Sequence, residues 1–246
     1  MKRLIIFSLL FGVFMNLFAQ NKFLDEQLRY ERVRTAKAEK DDEIQKTLKQ
    51  NSLHVNNLNV LIVAFKDEDI LELWAKNSED TKYKLLKTYD VCAKSGELGP
   101  KYRQGDFQVP EGFYYIDRFN PLSSYYLSLG LNYPNAADKK RSNAKSLGGD
   151  IFIHGKCVTI GCLPMTDFYI KEIYMYAVYA KNSGQNKIPV YIFPFKMSDK
   201  NMKTYTKKYP KFTPFWENIK EGFDKFYTLN EELNYSHKTQ GFYDIK

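Results

Sequence analysis

The sequence predicts an α+β fold, and three observations predict it. Short apolar, β-branched runs bounded by Gly, Pro and polar clusters fill the middle of the chain. Segments with apolar residues at helical spacing lie near the N-terminus, after the last cysteine and near the C-terminus. No internal repeat or low-complexity segment interrupts them, and beyond the first helical segment the strands come first and the helices mainly late. With 246 residues, 19 of them Tyr and 18 Phe, the chain suffices for one domain of substantial core plus appendages.

The first residues, "MKRLIIFSLLFGVFMNLFAQ", have the layout of a secretory signal. Lys2 and Arg3 form a basic region, Leu4 to Leu17 an apolar one, and small Ala19 stands at the cleavage position. Residues 1–19 are therefore expected to be a signal peptide. A retained membrane anchor is the alternative, for which the apolar run is short. No cysteine follows the cut, so lipid anchoring is not expected, and no second apolar span exists, so the mature chain is expected to be soluble.

Residues 20–54 form an N-terminal helical segment. Leu24 with Leu28, Val33 with Ala36, and Ile44 with Leu48 mark a charged surface helix, broken once and packing lightly on the main domain. Residues 55–197 are the core domain. Val60 to Phe65, the turn "KDED", and Ile70 to Trp74 read as a β-hairpin, with further strands at Tyr83–Val91, Phe113–Asp117, Tyr125–Leu131 and Ile151–Ile153. Between them "KSGELGPKYRQGDFQVPEG" is a long loop of the kind that carries function on a β scaffold. Ile170, Ile173, Tyr174, Ala177 and Val178 then outline an amphipathic helix, capped by Thr166 or Asp167 and ended before Gly184, and "IPVYIFPF" is a strand. Residues 198–246 are a C-terminal helical extension, in which Thr213 and Pro214 start a helix turning Phe215, Ile219, Phe223 and Phe226 inward.

The formal charge of +8 falls to +6 once Lys2 and Arg3 leave with the signal. No dense Lys/Arg block remains to grip nucleic acid, so no nucleic-acid partner is expected. Three cysteines in an exported chain leave at least one thiol unpaired within it. Cys92 and Cys157 are the pair to consider, but sequence alone does not bring their Cα atoms within bridging distance, and no disulfide is expected between them.

The chemistry concentrates in "GGDIFIHGKCVTIGC", Gly148 to Cys162. His154 ends a buried strand at a sheet edge, Gly155 lets the chain turn behind it, and a backbone carbonyl on one ring nitrogen would fix the tautomer. Cys162 follows Gly161 and precedes a helix whose N-terminal dipole would lower the thiol pKa toward the thiolate. With His154 as base, Cys162 is an activated nucleophile. Amides near Gly161 and Cys162 would face a developing oxyanion, with Thr159 bracing the turn. Two alternatives stand beside this: three buried turn residues, or zinc held by His154, Cys157 and Cys162, a set lacking a CxxC pair and a fourth ligand. No metal and no cofactor is expected, and Cys157 is taken as structural.

The "HG" followed by "TIGC" resembles the motif of the L,D-transpeptidase catalytic domain. "ELGPKYRQGDFQVPEGFYYI", "FNPLSSYYLSLGLNYPN" and "VYIFPF" are similar to its YafK-type murein branch, over about Leu58 to Met197. The resemblance implies a mixed β-sheet or β-sandwich core and a periplasmic cysteine enzyme acting on peptidoglycan stem peptides. Cys162 matches the family nucleophile, His154 the base, Gly161 the preceding turn and Thr159 the Ser/Thr position. Ile160 departs from the histidine often found before that glycine, so another group must orient His154. Lys101 or Arg103, in a family loop beside the cleft, would meet a substrate carboxylate, or else be solvated loop charges. The implied reaction is acyl transfer through a Cys162 thioester. Hydrolysis by the same pair, as carboxypeptidase or as an amidase releasing a murein-linked lipoprotein, is the alternative, and a catalytically silent murein-binding module is another.

Overall fold

The computed structural model describes residues 22–246, so the expected signal peptide at residues 1–19 lies outside the described residues. Helices α1 (Lys22–Gln27) and α2 (Glu31–Gln50) precede strands β1 (Leu58–Phe65), β2 (Ile70–Asn77), β3 (Lys84–Asp90), β4 (Gly112–Asn120) and β5 (Ser128–Leu131). Then come α3 (Ala136–Arg141), β6 (Phe152–His154), β7 (Leu163–Pro164), α4 (Asp167–Asn182) and β8 (Ile188–Phe193). The chain closes with α5 (Asp199–Lys208), α6 (Thr213–Leu229), β9 (Tyr235–His237) and β10 (Tyr243–Ile245).

The first eight strands make one mixed sheet in the order β3-β2-β1-β8-β4-β5-β6-β7. The β1–β2 hairpin pairs Leu58 with Asn77 through Phe65 with Ile70 across the "KDED" turn. Apart from Asn59, β1 is buried throughout, because both of its faces are covered. Val60, Ile62 and Ala64 face one core, shared with Val33, Ala36, Ile44 and Leu48 of α2 and Ile170, Ile173 and Ala177 of α4. Leu61, Val63 and Phe65 face a second, closed by Phe215, Trp216, Ile219 and Phe226 of α6. The two-residue alternation of one strand thus sets N-terminal helices on one face and C-terminal helices on the other.

The N-terminal helix breaks once, at Tyr30, as its pattern predicts, but it does not pack lightly. Its apolar stripe is fully buried against α4, and even Lys40 is 2% exposed, its ammonium 3.0 Å from the centroid of Phe168. Burial depresses the Lys40 pKa, with Glu172 opposing that shift. Polar ties complete the seam: the Tyr174 hydroxyl donates to Gln27 at 2.7 Å and the Tyr179 hydroxyl to Asp41 at 2.5 Å. Helix α4, expected to be amphipathic, is buried around most of its circumference because α2 covers the side its own stripe leaves open. The Thr166 hydroxyl caps it, accepting from the Tyr169 amide at 3.2 Å.

Beyond the expected elements, the C-terminal region contains α5, capped by Ser198, and the β9–β10 ribbon. The ribbon locks onto the sheet through Tyr243, whose hydroxyl accepts from the Phe113 amide at 3.2 Å and from the Asn135 side chain at 3.1 Å. Among the described residues no helix is long and apolar enough to cross a membrane. Gly222 sits in mid-α6, where a Cβ would lie 2.4 Å from Cζ of Phe113, a ring packed by Tyr191, Phe193, Tyr235 and Tyr243. Gly222→Ala should therefore destabilise the protein by about 1–3 kcal/mol although alanine is the better helix former. The urea unfolding midpoint would measure it.

Candidate functional site

His154 ends β6, and its strand position dictates its surroundings. The parallel pairs Ile153 with Leu163 and His154 with Pro164 join β6 to β7, and the Met165 amide donates to the His154 carbonyl at 2.6 Å. Carried back one residue, that register sets Cys162 across from Phe152, and the two-residue repeat of a strand puts Phe152 and His154 on one face. Cys162 and His154 thus share one face at one end of the sheet.

The imidazole is 2% exposed, with the Tyr125 ring lying over it at 4.6 Å and 36°. Its Nδ1 lies 2.6 Å from the Gly155 carbonyl. A carbonyl only accepts, so Nδ1 carries the proton and Nε2 holds the lone pair in the neutral ring. This answers what orients His154: the Gly155 carbonyl does so, while Ile160 is 73% exposed and turns away. Burial lowers the His154 pKa, partly offset by that hydrogen bond, so the ring is neutral at pH 7.

Gly155 is glycine for a different reason from the expected sharp turn. The positive φ falls on Lys156, at 61°. A Cβ on Gly155 would instead lie 2.5 Å from the Asp167 carboxylate and 2.8 Å from the Tyr125 carbonyl. Asp167, in the first turn of α4, also accepts from the Lys156 amide at 2.9 Å. The helix end and the Tyr125 loop therefore close on the His154 turn from two sides.

The Cys162 turn is organised by one hydroxyl. Thr159 Oγ1 accepts from the Cys162 amide at 2.8 Å and the Gly161 amide at 3.2 Å, and donates to the Cys162 carbonyl at 2.9 Å. Thr159 braces the turn, and for that reason the two amides expected to face an oxyanion are directed at its oxygen. Gly161 takes φ +134°, and its Cβ would lie 3.0 Å from the Gln108 carbonyl, so the long loop presses directly on the residue before the thiol. Cys162 Sγ lies 3.5 Å from the Asp150 carbonyl.

The expected depression of the thiol pKa is corrected. Burial raises it, Asp150 adds to the rise, and the Phe152 amide and the Lys101 charge only partly oppose it. Helix α4 begins at Asp167, with β7 between it and Cys162, so its dipole is too distant to dominate. A raised thiol and a lowered imidazole both favour the neutral form at rest.

Cys92 and Cys157 form a disulfide, with Cα atoms 5.4 Å apart, where none was expected. The segment just after β3 and the loop after His154 converge from positions 65 residues apart, a meeting that depends on the whole sheet order. Cys162 is the free thiol. Since Cys157 is bonded to Cys92 it has no thiolate to offer, and the zinc reading loses one of its three ligands. Among the described residues no group of three or more His, Cys, Asp or Glu is placed to hold a metal.

Lys101 is buried rather than presented to a ligand: its ammonium pairs with Asp106 and donates to the Arg103 carbonyl at 3.0 Å. Asp106 also accepts from the amides of Tyr102, Arg103 and Gln108, which lowers its pKa against the effect of burial. Lys101 thus holds the long loop together, while Arg103 lies exposed on it. A cleft of about 340 Å³ opens beside Cys162 and Leu163. It is walled by residues of the 91–98 segment and by Tyr205, Lys208 and Tyr209, and His154 does not line it. Sequence reasoning missed Tyr125, Asp167 and the α5 wall. Of these only Asp167, beside the helix cap, carried a local signal.

Residues 59–192 match the family model of the L,D-transpeptidase catalytic domain. The protein named "Putative L,D-transpeptidase YafK" of Escherichia coli K12 is 44% identical over 169 residues, 68% of this chain and 66% of that one. Its counterpart in Escherichia coli O157:H7 gives the same values. The match thus spans just under two thirds of those curated relatives. Among solved structures, the helical cell shape determining protein Pgp2 of Campylobacter jejuni is 17% identical at a TM-score of 0.44, covering 73% of each chain. Bd1075 of Bdellovibrio bacteriovorus is 23% identical at 0.39, covering 68% of this chain and 62% of that one. With a family match over more than half its length, laid across the strands that carry His154 and Cys162, this chain belongs to the L,D-transpeptidase catalytic domain family.

Proposed function

We propose that this protein is an exported cysteine acyltransferase of peptidoglycan stem peptides, with Cys162 as nucleophile and His154 as base. The observation that carries the reading is the bond from His154 Nδ1 to the Gly155 carbonyl, 2.6 Å long, which leaves the Nε2 lone pair on the strand face that bears Cys162. Family membership supports the substrate class. The disulfide between Cys92 and Cys157 supports export, since such bonds persist in oxidising compartments such as the periplasm.

In the first step Nε2 takes the Sγ proton as sulfur adds to the carbonyl carbon of the stem peptide's diamino acid. The tetrahedral adduct collapses, the C–N bond to the terminal D-alanine breaks, and the imidazolium gives that proton to the leaving amine. A thioester remains on Cys162. In the second step an amine from another stem peptide attacks the thioester carbonyl, Nε2 takes a proton from its nitrogen, and the sulfur leaves and regains a proton. Neutral thiol and neutral imidazole are the forms this sequence starts from. Oxyanion donors come into play either as Thr159 releases the Gly161 and Cys162 amides or from the Phe152 amide beside the sulfur.

Incubated with tetrapeptide muropeptides, the protein should gain an intact-mass adduct on Cys162 that Cys162→Ser lacks. Product analysis then separates cross-linked dimers from tripeptide released by water and from a freed murein-linked lipoprotein. A protein that forms neither adduct nor product on any muropeptide would be a silent binding module instead. Because the His154 pKa is lowered, the neutral base persists on the acid side, and the acidic limb of the rate profile should fall below 6.5, the ordinary histidine value. Because the thiol is raised, the rate of Cys162 alkylation by iodoacetamide should still be climbing at pH 9.0, with the midpoint of its pH profile above that value.

A further inference from the structure

The two sides of the sulfur are unlike, and that difference assigns them different parts of the substrate. Under the thioester reading, on which this inference rests, His154 protonates the departing amine and deprotonates the incoming one, so both pass on the imidazole side. The acyl portion stays on sulfur through both steps. The cleft beside the sulfur includes Cys162 and Leu163 but not His154, so it is placed for the acyl portion.

Most charges in that cleft are already spent. Lys66 is committed to Glu111 and to the carbonyls of Gly99 and Val109, each at 2.9 Å. Lys94 pairs with Asp69 at 2.7 Å, and Asp67 accepts from the Tyr205 hydroxyl. Three lining groups have no partner of opposite charge among the described residues; Asp67 is taken by the Tyr205 hydroxyl, which leaves Lys208, at the end of α5, and Glu97, on the 91–98 wall, without a charged or hydrogen-bonding side-chain partner. The Lys208 ammonium lies 5.1 Å from the Tyr209 ring centroid, and Tyr205 is fixed both by Asp67 and by stacking on Phe195 at 4.1 Å. Helix α5 (Asp199–Lys208) follows the last residue matched by the family model, so this wall lies outside the residues that model covers.

We propose that α5 completes the acyl-donor subsite: Lys208, steadied beside Tyr205 and Tyr209, binds the side-chain carboxylate of the donor's diamino acid, and Glu97 binds its ammonium. A zwitterionic side chain needs one cation and one anion, and the cleft leaves one of each free. Charge-assisted contacts of this kind discriminate sharply against a neutral amide in place of the carboxylate.

The test is calorimetric binding to the full chain carrying Cys162→Ala, which cannot react. Two probes are used: a stem tetrapeptide with a free diamino-acid side-chain carboxylate, and the same peptide amidated there. Lys208→Ala should weaken the free peptide roughly tenfold and leave the amidated one unchanged, and Lys208→Arg should restore most of the loss. Glu97→Gln should weaken the free peptide but not one whose side-chain amine is acetylated. Equal affinity of Lys208→Ala and its parent for the free peptide, or equal loss for both peptides, would overturn the subsite. The absence of a Cys162 adduct on the unmodified protein would overturn the thioester reading alone, since the binding series is read without chemistry.

Discussion

A single buried carboxylate holds the site's surroundings in place. Glu111, with its side chain fully buried, takes the Lys66 ammonium and the Gly99 amide on one oxygen, at 2.9 and 2.7 Å, and the Trp216 indole on the other at 2.9 Å. Those partners come from the residue just after β1, the long loop before β4, and α6. An ionised carboxylate inside a protein is costly unless every lone pair finds a donor, and here three separate stretches of chain supply them. Losing any one would strand the others, so loop, sheet and C-terminal helix are fixed together. The loop so fixed runs on to Gln108, whose carbonyl touches Gly161, and the position of Cys162 inherits that anchorage.

The site itself rests on two short-range devices that look alike and act differently. At His154 a carbonyl one residue away decides which ring nitrogen carries the proton. At Cys162 a hydroxyl three residues earlier decides where the amides point. Neither device touches the Cys162 sulfur, and both depend on glycines that exist because something else has come too close: Asp167 and Tyr125 at Gly155, Gln108 at Gly161. The disulfide adds a covalent tie between the segment that walls the cleft and the loop leading to Thr159, with Ser95 Oγ 3.5 Å from Thr159 Oγ1 beside it.

Much of this was legible in the sequence, and the parts that were not share a cause. The β1–β2 hairpin, the Thr166 cap and the α4 stripe are local patterns, and they appear where periodicity places them. His154 and Cys162 stand out in the sequence because a short motif carries both. The Cys92–Cys157 bond, the burial of Lys101 and the rise of the thiol pKa depend on which distant segments arrive at the same place, and nothing near those residues encodes that. Helix α2 was underestimated for the same reason: its stripe was read correctly, but how deeply α4 would receive it is a property of the partner. Helix α5 offered a serine cap and little else, because Met202 is its one buried residue.

The order of elements along the chain gives the α5 wall a meaning beyond its contacts. Everything that performs the proposed chemistry is encoded before β8 ends, whereas the Lys208 side of the proposed acyl subsite is encoded afterwards, on a helix anchored by Met202, Tyr205 and the ion pair of Asp199 with Lys220. Reaction and part of the proposed selectivity therefore occupy separate stretches of the gene. Substitution within a dozen codons could redirect such an enzyme to a different stem peptide without disturbing a single atom of its base or its nucleophile.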